Sequence, residues 1–325
     1  MKYSLVMLLC ATLLAQPAAA DIDRAALIEL SSSVLKIEVL RTQGGYALGS
    51  GVVVGPQQVV TNCHVTHSAK EIYVLRGGVR WRVQTQAADI DHDLCLLRAP
   101  GLVAEPVRIG SAQGLALGQP VNALGYTGGI GLQNSAGEVL GLHRMDGASV
   151  IRSSNWFSSG ASGGGLFDDT LKLVGILTFR LRGGNAHYYA APMEWLLPLL
   201  NNPSREQPVA PFDMQDIAFW QRPMALQPRF LRAASLENDA RWADLQMLAG
   251  EWTRADAADP EPWSLLGLAL IGQDRPADAQ HAFECSLAVA PDYVPARTQL
   301  AQLAQRQGQD ALSARAAAPC SARVF

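Results

Sequence analysis

The most constraining feature of this 325-residue sequence is a long series of short apolar runs, each closed by a glycine- or proline-containing turn. The series extends from about Ala25 to Leu200, with turns such as Gly44-Gly45 and Gly55-Pro56. Many short strands separated by turns are typical of an all-β sandwich or barrel. We predict strands at 34–39, 51–54, 59–61, 72–75, 81–85, 94–97, 107–109, 120–124, 137–142, 149–152, 173–179 and 186–191.

The pattern changes after Leu200. Prolines are frequent in 201–228, which predicts a linker or a segment that lies along the domain surface. From about Arg229 the chain is alanine-rich, and Trp263 to Pro291 has the spacing of Trp, Leu, Gly, Ala, Phe and Pro that is typical of a tetratricopeptide repeat. Fewer than three good repeats are seldom stable alone, so we expect these helices to pack on the β domain or on a second copy.

The N-terminal segment has the pattern of a secretory signal peptide. Lys2 is followed by an apolar run at Leu5–Leu14, and small residues at Ala18–Ala20 precede Asp21. The run is too short to span a membrane, so we expect a periplasmic or secreted protein without a membrane span. The predicted organisation is a signal peptide at 1–20, a β domain at 21–200, a proline-rich linker at 201–228 and a small α-helical, tetratricopeptide-like domain at 229–318.

Composition narrows the partners. A net charge of −3 and a charged fraction of 17% give no reason to expect nucleic acid or an anionic membrane. The histidines are scattered and no Cys/His cluster has zinc spacing, so we expect no metal. No glycine motif that cradles phosphate opens a helix, and we expect no cofactor.

Three segments carry residues suited to acyl transfer, namely His64 in 59–65, Asp93 in 91–97 and Ser162 in 160–167. A serine hydroxyl needs an adjacent base, and a histidine held by a carboxylate supplies one. Glycines around Ser162 let the backbone turn tightly and bring amide groups close to a substrate oxyanion. Each segment alone is weak evidence, but their joint occurrence in the order His, Asp, Ser is far less common by chance.

These segments resemble the trypsin-like serine proteases, in particular the HtrA/Deg-like branch, over residues 30–195. The resemblance implies two packed β-barrels with the active site between them. It implies His64 as the base, Asp93 as the orienting carboxylate and Ser162 as the nucleophile, with the Gly160 and Ser162 amides as the oxyanion hole. The matching motifs are Gly49-Ser50-Gly51, Thr61-Asn62-Cys63-His64-Val65, Asp93-Leu94-Cys95-Leu96-Leu97, Gly160-Ala161-Ser162-Gly163-Gly164 and Leu173-Val174-Gly175-Ile176.

Neighbouring residues compete for two of these roles. Asp89 and Asp91 are alternatives to Asp93, which is favoured because it directly precedes the Leu94–Leu97 strand, where the family motif has its aspartate. Two further histidines, His67 and His92, do not follow a Thr-Asn-x sequence. We interpret both as solvated surface residues.

One departure from the family concerns Ala161. Digestive relatives carry an acidic residue at this position, which binds the freed N-terminus on activation, and HtrA-like relatives often carry Asn. An alanine cannot form that ion pair, so we expect activity not to depend on a newly cut N-terminus. The residue that orders the oxyanion loop is left open, and a collapsed resting state is one alternative.

Four cysteines remain after Cys10, which lies in the signal segment. An even number in an oxidising compartment favours disulfides. Pairing within each half of the chain gives Cys63 with Cys95 and Cys285 with Cys320, and the alternative is that all four are buried thiols. If the triad is assembled, the backbones of Cys63 and Cys95 lie close together.

Substrate preference is only weakly indicated. No carboxylate lies between Ile151 and Ser162, and by resemblance Trp156 is nearest to the base of the specificity pocket. Cleavage after Lys or Arg is therefore disfavoured, and a small or medium apolar residue is expected. The two tyrosines at 188 and 189 either narrow this pocket or belong to the core.

The sequence thus predicts a serine endopeptidase that acts on exported or unfolded polypeptides, with a protein partner bound by the repeats. The alternative is a protease fold that is inactive or conditionally active and serves as a protein-binding module. Another acyl hydrolase is disfavoured, because α/β-hydrolases carry their triad in the order Ser, Asp/Glu, His.

Overall fold

A computed structural model describes residues 24–129, 131–181, 187–213, 215–307 and 320. The predicted signal peptide and the end of the predicted repeat domain, 308–318, lie outside the described residues. Among the described helices, none is both long and apolar enough to cross a membrane.

The first β unit is an eight-stranded sheet. Its strand order is β14-β6-β7-β3-β2-β1-β4-β5, and a short helix, α1 (Arg24–Ser31), precedes it. Alternate residues of β1, namely Leu35, Ile37 and Val39, are fully buried in its core, as a period of two requires. The strands are β1 (Val34–Arg41), β2 (Tyr46–Gly55), β3 (Gln58–Thr61), β4 (Ala69–Arg76), β5 (Val79–Arg82), β6 (Thr85–Asp89), β7 (Leu94–Arg98) and β14 (Gln207–Pro208), with a one-turn helix, α2 (Cys63–Thr66), after β3.

The second β unit is a closed barrel. Its six strands are joined in the order β10-β13-β12-β11-β8-β9. They are β8 (Pro120–Thr127), β9 (Gly131–Met145), β10 (Ala148–Ser153), β11 (Gly165–Asp168), β12 (Leu173–Leu181) and β13 (His187–Pro192).

The two β units share a core. Val52 and Val60 of the first sheet belong to the same buried cluster as Leu124 and Phe167 of the barrel. Packing of one unit against the other agrees with the expected trypsin-like architecture. The expectation of two β-barrels is met in part: the second unit is a closed barrel, whereas the eight strands of the first form a sheet that is not closed.

Several strand predictions need correction. The predicted strand at 107–109 is reduced to a single bridge between Ile109 and Leu173. The predicted strand at 81–85 is divided between β5 and β6. The strand β11 was not predicted, because its glycine-rich start has the sequence pattern of a turn.

The proline-rich segment lies on the first sheet. Met193–Trp195 and α3 (Leu197–Leu200) lead into it, and β14 then pairs with β6, with Gln207 opposite Gln86. The guanidinium of Arg98 donates to Glu206 over 2.8 Å. Of the two alternatives for this segment, the structure therefore supports a surface strap rather than a free linker.

Five helices complete the described chain, and successive helices pack against each other. Gly267 permits the contact between α6 and α7, since a Cβ there would lie 2.5 Å from the Phe283 ring. The helices also pack on the barrel, where Phe230 stacks on His143 at 4.6 Å. The helical prediction is confirmed, whereas its tetratricopeptide-like nature stays a prediction. The helices are α4 (Arg229–Asn238), α5 (Trp242–Ala255), α6 (Pro260–Gly272), α7 (Pro276–Val289) and α8 (Val294–Gln307).

Candidate active site

His64 and Asp93 form a close pair beside the shared core. The strands β3 and β7 are antiparallel neighbours with Thr61 opposite Cys95, so the end of β3 and the start of β7 meet. His64 follows β3 and Asp93 precedes β7. The imidazole Nδ1 lies 2.6 Å from Asp93 Oδ2, and the His64 backbone amide donates to Oδ1 over 2.8 Å. The carboxylate therefore holds both the ring and the backbone of His64.

The backbone of Asp93 is turned to present this carboxylate. Its φ of 60° is in the left-handed region, which is uncommon for a residue other than glycine. The Asp93 carbonyl accepts from the side-chain amide of Asn62 over 2.9 Å and from the Cys63 amide over 3.3 Å. Strained backbone held by surrounding contacts often occurs at functional sites.

A disulfide joins the two segments that carry this pair. Cys63, next to His64, is bonded to Cys95, two residues after Asp93, with their Cα atoms 5.0 Å apart. Both cysteines are buried. A second disulfide joins Cys285 of α7 to Cys320.

The Asp93 carboxylate stabilises the imidazolium form of His64. Burial by itself lowers the pKa of His64, but the negative charge of Asp93 and its hydrogen bond outweigh burial and raise the pKa above the ordinary 6.5. Asp93 is 1% exposed, whereas the His64 side chain is 23% exposed. The imidazole is thus accessible from the cleft while its carboxylate partner is shielded from water.

The competing acids bind elsewhere. Asp89 pairs with His92 at 2.8 Å and Asp91 pairs with Arg222. The expectation that His92 is a solvated surface residue is wrong, since its ring stacks on Trp195 at 4.0 Å and its side chain is only 17% exposed.

The second competing histidine, His67, and one group of potential metal ligands also lie outside the cleft of Ser162. The Nε2 atom of His67 lies 3.1 Å from the carbonyl of Asp213. Asp91, His92 and Asp146 bring potential metal-ligand atoms within 4.8 Å of one another. Those groups already form ion pairs with protein side chains.

Ser162 lies in a tight turn that leads into β11. Gly160 and Gly163 flank it with φ values of 97° and 85°. A Cβ on Gly163 would lie 2.1 Å from the carbonyl oxygen of Ser50, so glycine is required there. Ser162 and His64 line the same cleft, of about 270 Å³, without a direct hydrogen bond between hydroxyl and imidazole. Such bonds often tighten only when substrate binds.

The amides next to Ser162 are open to a ligand. Within the described residues, the backbone N–H groups of Gly160 and Ser162 donate to no protein acceptor. The preceding carbonyl, of Ser159, is turned away and accepts from the Gly128 amide over 2.7 Å. Both amides of the predicted oxyanion hole are thus without a protein partner among the described residues.

Ser50 orders the loop before Ser162, and the sequence analysis did not identify this role. Its hydroxyl accepts from the Tyr126 amide and donates to the Gly160 carbonyl, each over 2.8 Å. Its own amide donates to the Ser162 carbonyl over 2.8 Å. The Gly49-Ser50-Gly51 motif was the only signal, and it did not reveal a contact across the two β units.

Ala161 is buried against the barrel. It is 2% exposed, and a Cβ placed on Gly125 would lie 3.0 Å from it. The small side chain therefore fits a confined position. In relatives an acidic or amide side chain is expected here, whereas in this chain Ser50 and Gly128 bind the carbonyls of the loop before Ser162.

The cleft walls differ from those expected. Trp156 lines a separate cavity of about 130 Å³ together with Ala161, and not the cleft of Ser162. Both candidate tyrosines are core residues, and Tyr189 stacks on Phe179 at 4.7 Å. The cleft is lined, besides His64 and Ser162, by Phe157, Ser158, Ser159, Thr178, Phe179, Arg180 and Trp220.

Trp220, from the proline-rich strap, is the second functional candidate that sequence reasoning missed. Its indole Nε1–H donates to Asp93 Oδ2 over 3.1 Å. The aromatic pair Phe219-Trp220 in a proline-rich stretch was a signal, because large aromatic residues in a free linker have nothing to pack against.

Comparison with known proteins agrees with this architecture. The trypsin-like peptidase domain family matches residues 49–176. Protease Do-like 1 of Arabidopsis thaliana is 32% identical over 142 residues, which cover 40% of this chain and 32% of the relative. A probable periplasmic serine endoprotease, DegP-like, of Halomonas elongata is 28% identical over 136 residues, covering 40% of this chain and 29% of the relative. The chain thus spans about a third of the length of these relatives.

Solved structures show the same fold. The Rv3671c protease of M. tuberculosis in its active form has a TM-score of 0.54 at 22% identity and covers 60% of this chain and 91% of its own. The HtrA-type protease AlgW with a tripeptide has a TM-score of 0.50 at 24% identity and covers 54% of this chain and 61% of its own. Residues 49–176 therefore match the trypsin-like peptidase domain family, and this part of the chain is similar to Do-like and DegP-like serine proteases.

Proposed function

We propose that this protein is a serine endopeptidase with Ser162 as nucleophile, His64 as general base and Asp93 as the carboxylate that orients it. The observation that carries this proposal is the close His64–Asp93 pair, which lies in one cleft with a serine flanked by two open backbone amides. Such a set combines an activated nucleophile with a site for a developing oxyanion.

The proposed reaction uses these groups in two halves. The Ser162 oxygen attacks the peptide carbonyl carbon as His64 Nε2 takes the hydroxyl proton, and the carbonyl oxygen becomes an oxyanion at the Gly160 and Ser162 amides. His64 then gives the proton to the leaving amine, and an acyl-enzyme remains. Water then attacks the acyl carbon as His64 takes one of its protons, and His64 gives that proton to the Ser162 oxygen as the acid leaves.

The proposed substrates are exported or unfolded polypeptides. The cleft presents the aromatic side chains of Phe157, Phe179 and Trp220 together with the cation of Arg180. A positive charge without a lining carboxylate disfavours Lys or Arg next to the scissile bond, whereas aromatic walls favour an apolar side chain. A mixed peptide library, analysed for cleavage sites, tests this preference.

The proposed compartment is the periplasm or the exterior. Both disulfides of the structure suit an oxidising environment. The DegP-like relative is named as periplasmic, which supports the same proposal.

The decisive test is labelling of the protein with a fluorophosphonate, in which the serine oxygen displaces fluoride from phosphorus. We expect covalent labelling of the wild type and none of Ser162→Ala. Ser159→Ala is the matched control, because it removes a neighbouring hydroxyl from the same cleft and should still be labelled. A correctly folded wild type that resists the probe would contradict the proposal.

One observation favours a second function, the binding of a protein partner. A groove of about 490 Å³ lies between the barrel and the helices. Its apolar lining includes Val139, Leu140, Leu142, Leu265, Leu268 and Tyr293. Fluorophosphonate separates the two functions, because a chain kept only for partner binding would leave Ser162 unmodified.

A further inference from the structure

Trp220 contacts the His64–Asp93 pair, although it lies outside residues 49–176, which match the peptidase domain family. The indole Nε1–H donates to Asp93 Oδ2, the same oxygen that lies 2.6 Å from His64 Nδ1. The carboxylate thus has two partners on one oxygen and the His64 amide on the other. A buried carboxylate with both oxygens bound has little freedom to rotate.

The indole ring also forms part of the cleft. It lies edge-on to the His64 ring at 5.5 Å and stacks on Phe179 at 5.1 Å with an interplanar angle of 11°. Trp220 lines the cleft together with Ser162. One side chain therefore contacts the carboxylate, the imidazole and the cleft wall.

The strap around Trp220 is fixed on both sides. The Phe219 side chain is buried, and its amide donates to the Asp91 carbonyl over 3.0 Å. Arg222 forms an ion pair with Asp91. From the helical side, the Gln227 side chain donates to the carbonyls of Trp220 over 2.9 Å and Arg222 over 2.8 Å. The position of the indole is therefore set by the β domain and by the approach to α4.

We propose that Trp220 is a positioning residue of the active site, which holds Asp93 so that the imidazole of His64 is aimed at Ser162. The inference rests on the proposed function. It makes the segment 218–222 a part of the site, so that the β domain alone does not carry the complete machinery. The indole contributes through two separable features, the N–H donor and the stacked ring.

The first test separates these features with Trp220→Phe, which keeps a ring against Phe179 and removes the donor. We expect the second-order rate of fluorophosphonate labelling to fall roughly tenfold, the scale of a modest misalignment. The pH midpoint of labelling should move upward, because a carboxylate without the indole donor attracts the imidazolium more strongly. An unchanged rate and an unchanged midpoint would overturn the proposal.

The matched control is Trp195→Phe. The Trp195 indole donates to the Asp146 carbonyl over 3.3 Å, away from the pair. This variant also loses an indole donor from a half-buried contact, and its labelling rate and midpoint should equal those of the wild type. Equal changes in both variants would indicate a general loss of packing and contradict a specific role for Trp220.

The second test does not depend on enzyme activity. In the full chain labelled with ¹⁵N at tryptophan, the indole signal lost in Trp220→Phe identifies Trp220. We expect that signal to shift with pH as His64 titrates and to lose this titration in His64→Ala. An indole signal whose chemical shift changes neither with pH nor in Asp93→Ala would overturn the proposal, even if fluorophosphonate labels the wild type. Conversely, absence of labelling with a titrating indole would refute the endopeptidase and retain the geometry.

Discussion

The hydroxyl of Ser50, on a strand of the open sheet, donates to the carbonyl of Gly160 in the loop before Ser162, over 2.8 Å. The bond crosses from one β unit to the other and fixes the residue whose amide we propose for the oxyanion hole. Because the same hydroxyl accepts from the Tyr126 amide, its removal leaves two backbone groups without a partner.

We therefore predict that Ser50→Ala slows fluorophosphonate labelling at least tenfold and lowers the free energy of unfolding by about 1–3 kcal/mol. Ser33→Ala is the control, since Ser33 is also buried and donates to the Glu105 carbonyl over 2.7 Å, away from the loop. Its stability should fall similarly while labelling remains at the wild-type rate. Equal labelling of the two variants would show that the loop does not need Ser50.

The pKa of His64 predicts the pH dependence of labelling. The imidazole must be neutral to accept the Ser162 proton, and its pKa lies above the ordinary 6.5. Labelling should consequently rise with pH through a midpoint above 6.5. In Asp93→Asn burial remains while the negative charge is lost, so the midpoint should move to lower pH.

The maximal rate of Asp93→Asn should fall roughly 10³- to 10⁴-fold, as expected when the histidine loses its orienting carboxylate. Asp89→Asn is the matched control, because Asp89 also pairs with a histidine, His92, at 2.8 Å. A midpoint that stays in place in Asp93→Asn would argue against the pair as the origin of the pH dependence.

The disulfide beside the pair should couple stability to activity. Replacing Cys63 and Cys95 by serine removes a link across 32 residues. We predict a loss of about 3–4 kcal/mol in the free energy of unfolding and slower labelling. The Cys285→Ser and Cys320→Ser variant also loses a disulfide, but far from the site, so its labelling should be unchanged. Thermal unfolding and labelling rates, measured on both, distinguish a local effect from a global one.

Two helical glycines should respond in opposite ways to alanine. In Gly267→Ala the new methyl would meet the Phe283 ring at 2.5 Å, so we predict destabilisation of about 1–3 kcal/mol. In Gly250→Ala the nearest atom, from Arg254, is 3.9 Å away, and alanine should stabilise the helix by up to about 1 kcal/mol. Chemical denaturation curves test both, and stabilisation by Gly267→Ala would contradict the packing of α6 on α7.

Local sequence patterns predicted much of this architecture. An alternating apolar run located β1, because side chains of a half-buried strand alternate between core and surface. A continuous apolar run located β12, whose residues 173–179 are all buried. The strand β11 was not recognised, since its glycines are needed for close approach and carry no strand signal. The sequence also did not indicate that only one of the two β units closes, because closure depends on pairings between distant strands.

Some residues of the candidate site could likewise be predicted from the sequence and others could not. His64, Asp93 and Ser162 could be selected because each lies in a motif with a fixed relation to a strand. Ser50 and Trp220 could not, since their roles depend on contacts with residues 110 and 127 positions away. Long-range contacts of this kind leave no local periodicity.

Among the residues that the structure describes, the open sheet ends at two border strands, and both oppose association with another chain. One border, β14, has two residues and ends in Pro208, which has no amide hydrogen to offer an incoming strand. The other, β5, bears Arg80 and Arg82, and the Arg80 guanidinium covers the Tyr73 ring at 3.4 Å. Cations and proline at sheet borders oppose strand addition. The sheet that is not closed is thus protected at both borders against an added strand, by charge at one and by a missing hydrogen-bond donor at the other.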